Sequence, residues 1–321
     1  MSSLYLFKRL FQGIFVLFLV SMISFTIINA APGDPALALF GNDAQKLTNV
    51  ERERINQTFG VDQPAAIRYL KWAGQMLKGD MGTSYREGRK VFDILVERLP
   101  NTLLLFSCSI VLITLFSILL GIIGGHRENS LWGKVLSITS IVFSSIPVFW
   151  LGILCIMFFS VYLHLLPSSG TESLQGGGWL DKLLHLILPV FVMTVVHVGI
   201  YGRFIQEQMK EESRKYYVQL ARANGMKETY LVRGMLKNAL LPYIQYLGMT
   251  IPSFFGGSIV IESLFSWAGL GQLSVKAAMT RDYPLLMGCT MMTGTVVIVC
   301  ILLTDLLSFV LNPMLRRDFL K

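Results

Sequence analysis

The chain has 321 residues, of which 53% are hydrophobic and 15% are charged, and its net charge is +8. A soluble domain would carry about 25% charged residues, and here apolar stretches of about 20 residues alternate with short polar ones. This pattern excludes a soluble globular domain and predicts an all-α polytopic membrane protein. The basic residues flank the apolar stretches, which points to the lipid bilayer as partner and argues against nucleic acid.

Six apolar stretches are long enough to cross a bilayer as helices, and the first is too long for a cleaved signal peptide. We predict spans at about 10–30, 103–125, 135–163, 183–204, 239–265 and 285–311. The third contains Pro147, and we expect the hydroxyls of Ser144 and Ser145 to help accommodate the carbonyl that a proline leaves free. The fifth contains Pro242 and Pro252, so we expect it to be bent.

A long polar segment, Pro32 to Arg98, separates the first span from the second. It mixes ten basic with nine acidic residues, and we predict helices at Thr48 to Phe59 and at Pro64 to Lys78, the second with apolar residues at helical spacing. We therefore divide the chain into an N-terminus and first helix (1–31), a folded extracytoplasmic subdomain (32–98) and a five-helix membrane core (99–321).

The distribution of basic residues predicts the orientation of the chain. Six spans place both termini on one side, and the short segments on that side hold fifteen basic residues, against three in the short loops opposite. Lysine and arginine accumulate in cytoplasmic loops, and long segments are discounted because they cross the membrane largely regardless of charge. We therefore expect both termini, and the polar stretch after the fourth span, to be cytoplasmic.

That polar stretch, Tyr216 to Pro242, is strongly basic. The pair Asn224-Gly225 is suited to the left-handed turn that ends a helix, so we predict two short helices hinged at Gly225, with a positive φ at this glycine. The small side chains of Ala221 and Ala223 would let another protein approach closely. An ordinary polar loop explains the same spacing equally well.

The stretch also resembles a known motif. Ala-Arg-Ala-Asn-Gly at 221–225, followed fifteen residues later by Leu-Leu-Pro, resembles the EAA loop of ATP-binding-cassette (ABC) importer permeases. The Tyr-Val pair before it and Asn-Ala-Leu-Leu-Pro after it are similar to the dipeptide, oligopeptide and nickel branch, as is Pro-Gly-Asp-Pro at 32–35. Two positions depart from the pattern: Gln219 replaces the usual glutamate, and Ala268 replaces a usual proline.

The resemblance implies the type I ABC importer permease fold, in a bacterial cytoplasmic membrane. The chain would form half of a pathway for peptides or for a nickel or metal-chelate substrate. The implied partners are a second homologous permease, two ABC ATPase subunits that hold ATP and Mg²⁺, and an extracytoplasmic substrate-binding protein. The coupling loop, 205–238, would contact the ATPase, and the residues assigned to coupling are Gln219, Ala221, Arg222, Ala223, Asn224, Gly225, Leu241 and Pro242. Candidate pathway-lining residues from the fifth span are Met249, Ser253 and Ser258.

The chain shows no chemistry of its own. It lacks a G-x-x-x-x-G-K-[ST] phosphate loop and a G-x-S-x-G elbow, and its histidines and cysteines lack metal-ligand spacing. We therefore predict no catalytic residue, cofactor site or metal site. The alternative, an ion-coupled secondary transporter, generally needs ionisable residues at midplane, whereas the only acidic residues in the predicted spans, Asp305 and Glu262, lie near their ends. An intramembrane enzyme would need paired catalytic groups, and the spans show none.

Overall fold

The computed structural model describes residues 3–30, 48, 63–126, 131–173 and 176–311. These residues form ten α-helices, with a π-helical segment, Ile156–Tyr162, after the fifth. The helices are α1 Ser3–Ala30, α2 Ala65–Leu77, α3 Val91–His126, α4 Leu131–Ser145, α5 Val148–Cys155, α6 Gly178–Ser213, α7 Tyr216–Ala223, α8 Glu228–Leu264, α9 Leu270–Met279 and α10 Tyr283–Leu311. Within the described ranges, extended pairing is limited to one bridge, between Thr83 and Lys90. The all-α prediction is confirmed.

Five of the helices are long and apolar enough to cross a membrane, and the count is six if α4 and α5 form one broken span. Helices suit this role because they satisfy their backbone polar groups internally where no water is available. The predicted helix at Pro64 to Lys78 is confirmed as α2. The predicted helix at Thr48 to Phe59 lies, apart from Thr48, outside the described residues. Helix α3 begins at Val91, inside the segment assigned to the extracytoplasmic subdomain.

The third span differs from the single helix that the sequence predicted. Its two helical parts meet at 90°, because Pro147 has no N–H to bond the carbonyl of Phe143 and its ring crowds that carbonyl. The N–H of Ile146 lies 3.3 Å from the Phe143 oxygen instead. Ser144 and Ser145 both donate to the carbonyl of Ile141, at 3.0 and 2.8 Å, so the role expected for their hydroxyls was wrong.

The expectation of two short helices around Gly225 is only half right. Helix α7 has eight residues, but α8 runs without interruption for 37 residues, from the polar stretch through Pro242 and Pro252. The sequence placed a boundary where charge gives way to apolar residues, near Ala239. Because backbone hydrogen bonds do not depend on side-chain polarity, the same helix continues across that boundary.

The described chain divides into two compact units. One contains Leu103–Trp267 and Val299–Lys321, and the other contains Leu4–Thr102 and Ala268–Ile298. Helices α3 and α10 are each divided between the two units: the first part of each helix belongs to one unit and the rest to the other. Each unit has its own buried apolar cluster, the larger formed mainly by α3, α6 and α8 and the smaller by α3, α9 and α10.

In the larger unit, α6 packs against its neighbours through glycines. A methyl group added at Gly199 of α6 would lie 2.5 Å from the backbone oxygen of Ser140 in α4. On α3, methyl groups at Gly121 and Gly125 would lie 2.3 Å from Ile205 and 2.6 Å from Met209 of α6. Small residues let membrane helices approach closely enough for van der Waals packing to hold them together.

In the smaller unit, a buried carboxylate joins two turns. Asp282 is fully buried and its Oδ2 accepts from Ser84 Oγ at 2.5 Å and from the N–H of Arg86 at 3.2 Å. Its Oδ1 accepts from the N–H of Leu285 at 3.3 Å, at the start of α10. Burial, and then the charge of Asp282, raise the pKa of the neighbouring Tyr85 to about 12. The turn at 80–90 is thereby fixed to the α9–α10 junction.

Helix α9 was not predicted. Its N-terminal N–H, at Leu270, donates to Thr102 Oγ1 at 2.8 Å, and its Leu270, Leu273 and Ala277 lie in the buried cluster. These residues recur at helical spacing, which is the signal that would have revealed the helix.

The contact at Gly199 yields a stability prediction. Gly199→Ala places a methyl group against backbone that cannot rotate away, so we expect a loss of about 1–3 kcal/mol and a lower thermal midpoint in detergent. Gly234→Ala is the matched control, since a methyl group there meets no atom within 4 Å. Alanine favours a helix over glycine by up to about 1 kcal/mol, so the control should be neutral or stabilised. Equal midpoints for the two variants would contradict the close packing of α4 on α6.

Candidate functional site

Helix α7 stands between the end of α6 and the start of α8. Lys215, in an extended conformation, precedes its first turn. Val218 is fully buried and belongs to the same apolar cluster as Leu231 and Met235 of α8. Val218 is thus an apolar anchor of α7 on the helix that follows it.

The turn after α7 is a Schellman motif centred on Gly225. The N–H of Gly225 donates to the carbonyl of Arg222 at 3.0 Å, and the N–H of Met226 donates to that of Ala221 at 3.1 Å. Gly225 has φ +79°, so the predicted positive φ is confirmed. A methyl group at Gly225 would meet no atom within 4 Å. Among the described residues no neighbour leaves too little space for a side chain at position 225, so it is the positive φ that favours glycine there.

An ion pair closes the same turn. Arg222 Nε lies 2.6 Å from Glu228 Oε1, and Nη2 lies 3.3 Å from Oε2. The hydrogen bond to Glu228 raises the pKa of Arg222 further above its ordinary value. Glu228 also lies in the first turn of α8, where a negative charge is favourable. Both side chains are 45% exposed, so the pair contributes at most about 1 kcal/mol.

Glu212, at the end of α6, binds residues of all three neighbouring segments. Its carboxylate accepts hydrogen bonds from Lys215 Nζ, from Tyr217 Oη at 2.6 Å and from Asn238 Nδ2 at 3.2 Å. The residue is only 7% exposed, and a buried carboxylate is tolerated when its oxygens are satisfied in this way. The hydrogen bond from Lys215 to Glu212 raises the pKa of Lys215. Burial, and then its own hydrogen bond to Glu212, raise the pKa of Tyr217.

The outward side of this region is exposed and partly aromatic. We define the α7–α8 surface as the exposed residues between Tyr216 and Tyr230, and every residue from 222 to 230 is exposed. Tyr216 and Tyr230 are 77% and 64% exposed. Its other exposed large hydrophobic side chains are Tyr217, Leu220 and Met226. Tyrosine, methionine and arginine are enriched at protein interfaces, so the composition fits a docking site for another protein.

The residues predicted for coupling lie in three places. Gln219, Arg222, Ala223, Asn224 and Gly225 are exposed on the α7–α8 surface. Ala221 is half-buried against the apolar cluster. Leu241 and Pro242 are half-buried farther along α8. The Gln219 amide donates to the carbonyl of Arg214 at 3.0 Å, so this side chain also supports the end of α6.

The anchoring residues Glu212, Tyr217 and Asn238 were missed. The spacing of Glu212 and Lys215 along one helix end offered a weak signal for their ion pair. Asn238 is the first residue of the Asn-Ala-Leu-Leu-Pro motif that contributed to the family resemblance, but the motif gave no indication of its partner. Its contact with Glu212, 26 residues away, has no local sequence pattern.

The candidate pathway residues occupy two different faces of α8. Met249 is 81% exposed and Ser253, four residues later, is also exposed, as is Gly256. Residues at this spacing share one helix face. Ser258 is buried instead, and its hydroxyl donates to the carbonyl of Phe255 at 2.8 Å. The structure therefore brings Met249 and Ser253 together and places Ser258 apart from them.

Three ionisable residues of the spans lie in different surroundings. Glu262 is fully buried, and Asp305 is half-buried in α10. The Nδ1–H of His197 donates to the carbonyl of Met193 at 2.8 Å. Across the part of the chain that the structure describes, no three His, Cys, Asp or Glu side chains come close enough to hold a metal ion.

Five long apolar helices, or six if α4 and α5 form one broken span, define a multi-pass membrane protein. Residues 117–317 match the family model described as "Binding-protein-dependent transport system inner membrane component", and residues 3–106 match the model of the N-terminal domain of such membrane components. The chain belongs to this family. It is a permease subunit of the ABC importer type, and the secondary-transporter alternative is not favoured.

Two relatives match over nearly their whole length. The oligopeptide transport system permease protein AppB of Bacillus subtilis is 38% identical over 312 residues, which cover 96% of this chain and 98% of AppB. The metal-staphylopine import system permease protein CntB of Staphylococcus aureus is 31% identical over 316 residues, which cover 98% of each chain.

The position of Glu212 leads to a prediction about local opening. Glu212→Ala removes the acceptor shared by Lys215, Tyr217 and Asn238, so amides of α7 should exchange hydrogen roughly tenfold faster, equivalent to about 1.4 kcal/mol. Hydrogen exchange with mass spectrometry of peptides covering 216–223 measures this. Glu211→Ala, one residue earlier and exposed, is the control and should leave the exchange unchanged. Unaltered exchange in Glu212→Ala would show that the other contacts of α7, such as that of the buried Val218, hold the helix without Glu212.

Proposed function

We propose that this chain forms half of the pathway of an ATP-driven importer for peptides or metal-chelate substrates, and that the α7–α8 surface receives a partner ABC ATPase. The names of AppB and CntB support these two substrate classes. The observation that carries the proposal is the exposed Schellman turn at Gly225, which directly follows α7, the helix held by the buried Val218.

The anchoring contacts suggest how a movement of the ATPase would reach the membrane. Force on α7 would act on Val218, which belongs to the same apolar cluster as Met235 of α8. It would also act on Tyr217, whose hydroxyl accepts a hydrogen bond from Asn238 of α8 at 3.0 Å. Because α8 is one continuous helix from Glu228 to Leu264, a displacement at its start is transmitted along its axis. Met249 and Ser253, farther along this helix, would then move with α7.

The pathway itself would lie between two permeases. Met249, Ser253 and Gly256 form an exposed strip of α8 within a unit that otherwise buries much of this helix. A second homologous permease would supply the facing half. Ser258 is a weaker candidate because its side chain points into the apolar core of its own chain.

The remaining assignments follow from charge and family. The excess of lysine and arginine in the terminal segments and beside α7 supports an orientation with both termini cytoplasmic. The family supports a location in the bacterial cytoplasmic membrane. ATP and Mg²⁺ would be held by the two ATPase partners. On the opposite side, the subdomain of residues 32–98 would receive the substrate-binding protein, and Asp282 anchors the turn at 80–90 of this subdomain.

Gly225 provides the decisive test of coupling. Gly225→Val adds a β-branched side chain at φ +79°, a conformation that penalises it by roughly 1–2 kcal/mol, and it also places bulk on the docking side. We expect a membrane-inserted protein whose assembled complex loses at least about tenfold in substrate-stimulated ATP hydrolysis.

Two further variants make that result interpretable. Gly225→Asn tolerates positive φ, so it separates backbone strain from steric exclusion and should reduce stimulation less. Ser169→Val, in the exposed connector before α6, should have no effect. Expression and complex assembly are measured alongside. Near-normal stimulation with Gly225→Val would refute the coupling role.

The division of labour between subunits gives another prediction. Since the sequence has no nucleotide-binding motif, the purified chain alone should neither bind nor hydrolyse ATP, whereas the complex with its ATPases should do both. Photo-crosslinking with an azido-ATP, with and without the partner subunits, compares the two states. Saturable labelling of the isolated chain would contradict the proposal.

A further inference from the structure

Helix α2 packs directly on the first membrane span. The ring of Tyr69 lies between Phe18 and Phe25 of α1, with centroid distances of 6.5 and 5.4 Å, and Trp72 lies 6.1 Å from Phe25. Tyr69 Oη is 2.8 Å from Ser21 Oγ. Ser21 donates its own proton to the carbonyl of Phe18, at 2.7 Å, so the tyrosine hydroxyl is the donor to Ser21.

The level of these contacts along α1 fixes the depth of α2. The apolar span of α1 is Phe7–Ile28, and a helix rises about 1.5 Å per residue. Ser21 therefore lies roughly 10 Å, and Phe18 roughly 15 Å, from the carboxyl end of that span. The hydrocarbon core of a bilayer is about 30 Å thick, so Tyr69 is held at the level of the lipid acyl chains.

The sequence of α2 presents three strips around its axis. Tyr69, Trp72 and Met76 are half-buried, and the first two contact α1. A second strip is apolar and exposed, and consists of Ile67, Leu70 and Leu77 with exposed fractions of 45%, 68% and 91%. The third strip is polar: Arg68, Lys71, Gln75 and Lys78. The first two strips together form an apolar arc opposite the basic strip, which is the pattern of a helix that lies in a membrane interface.

We propose that α2 is embedded in the bilayer leaflet at the carboxyl end of α1, with Ile67, Leu70 and Leu77 in contact with lipid acyl chains. Lys71 and Lys78 extend toward the headgroup phosphates, as long basic side chains do near a membrane surface. The hydrogen bond from Tyr69 to Ser21 sets the depth. Within the segment 32–98, this helix then belongs to the membrane and not to a water-exposed cap.

The surroundings of α2 favour lipid as the occupant of the exposed strip. The span of α1 has only 6% of its most apolar window buried, and Met22, Ile23 and Ile27, close to the contacted Ser21 and Phe25, are exposed. The apolar strip of α2 thus continues a surface that already faces the acyl chains. The experiment below distinguishes lipid contact from coverage of this apolar strip by protein, either residues 31–62 of this chain or a partner subunit.

The test is a depth measurement with nitroxide labels. The four native cysteines are replaced, and single cysteines are introduced at Leu70 and Leu77, with Gln75 as the matched polar-strip control. The full chain is reconstituted in vesicles of phosphatidylethanolamine and phosphatidylglycerol. Collision rates with oxygen, which concentrates in acyl chains, and with a water-soluble nickel chelate are compared at each position.

The proposal expects labels at Leu70→Cys and Leu77→Cys to collide severalfold more with oxygen than with the chelate, and the label at Gln75→Cys to show the reverse. High chelate collision at all three positions would mean a water-exposed cap and would overturn the proposal. Low collision with both reagents at Leu70→Cys and Leu77→Cys would mean coverage by protein and would overturn it as well.

A second variant tests the depth-setting bond. Tyr69→Phe keeps the ring and removes the donor to Ser21, so the label at Leu70→Cys should shift toward the headgroups, with a measurable rise in its chelate-to-oxygen ratio. An unchanged ratio would show that the hydrogen bond does not set the depth. Because these measurements need neither ATP nor partner subunits, their failure is separate from failure of the transport proposal.

Discussion

The close approach of α6 to its neighbours is the contact on which the larger unit depends. In lipid the hydrophobic effect does not drive helices together, so association rests on packing and on interhelical hydrogen bonds. At Gly199 the backbone of α4 fills the space that any side chain would need, and at Gly121 and Gly125 side chains of α6 do the same on α3. Glycine at these positions turns three apolar helices into one body with a defined packing.

The same helix connects that body to the candidate docking site. Helix α6 continues to Ser213, and its final turn carries the buried Glu212, whose three hydrogen bonds reach the start of α7 and the first part of α8. A carboxylate with these partners can stay charged at low exposure. The exposed turn at Gly225 is thus held by the membrane body through a short polar network, which explains how a small helix of eight residues keeps a fixed position.

Much of the architecture could be predicted because it follows from local pattern. Apolar length gave the spans, helical spacing gave α2, and Asn224-Gly225 gave the Schellman turn, since few residues other than glycine accept its φ. Three features escaped prediction. The 90° break at Pro147 depends on how the freed carbonyls are satisfied, α8 crosses a polarity boundary that its backbone ignores, and α9 is short enough for its spacing to be overlooked.

By itself the sequence determined the class of the protein, the number of its apolar stretches, the distribution of charge around them and the conformation required of Gly225. These are properties of composition and of residues close together in the chain. Only the tertiary structure decided that Ser258 faces the core while Met249 faces outward, that Asn238 reaches Glu212, and that Tyr69 bonds Ser21 within the first span. Each depends on the rotation of a helix about its axis and on contacts between residues far apart in sequence, and local pattern fixes neither.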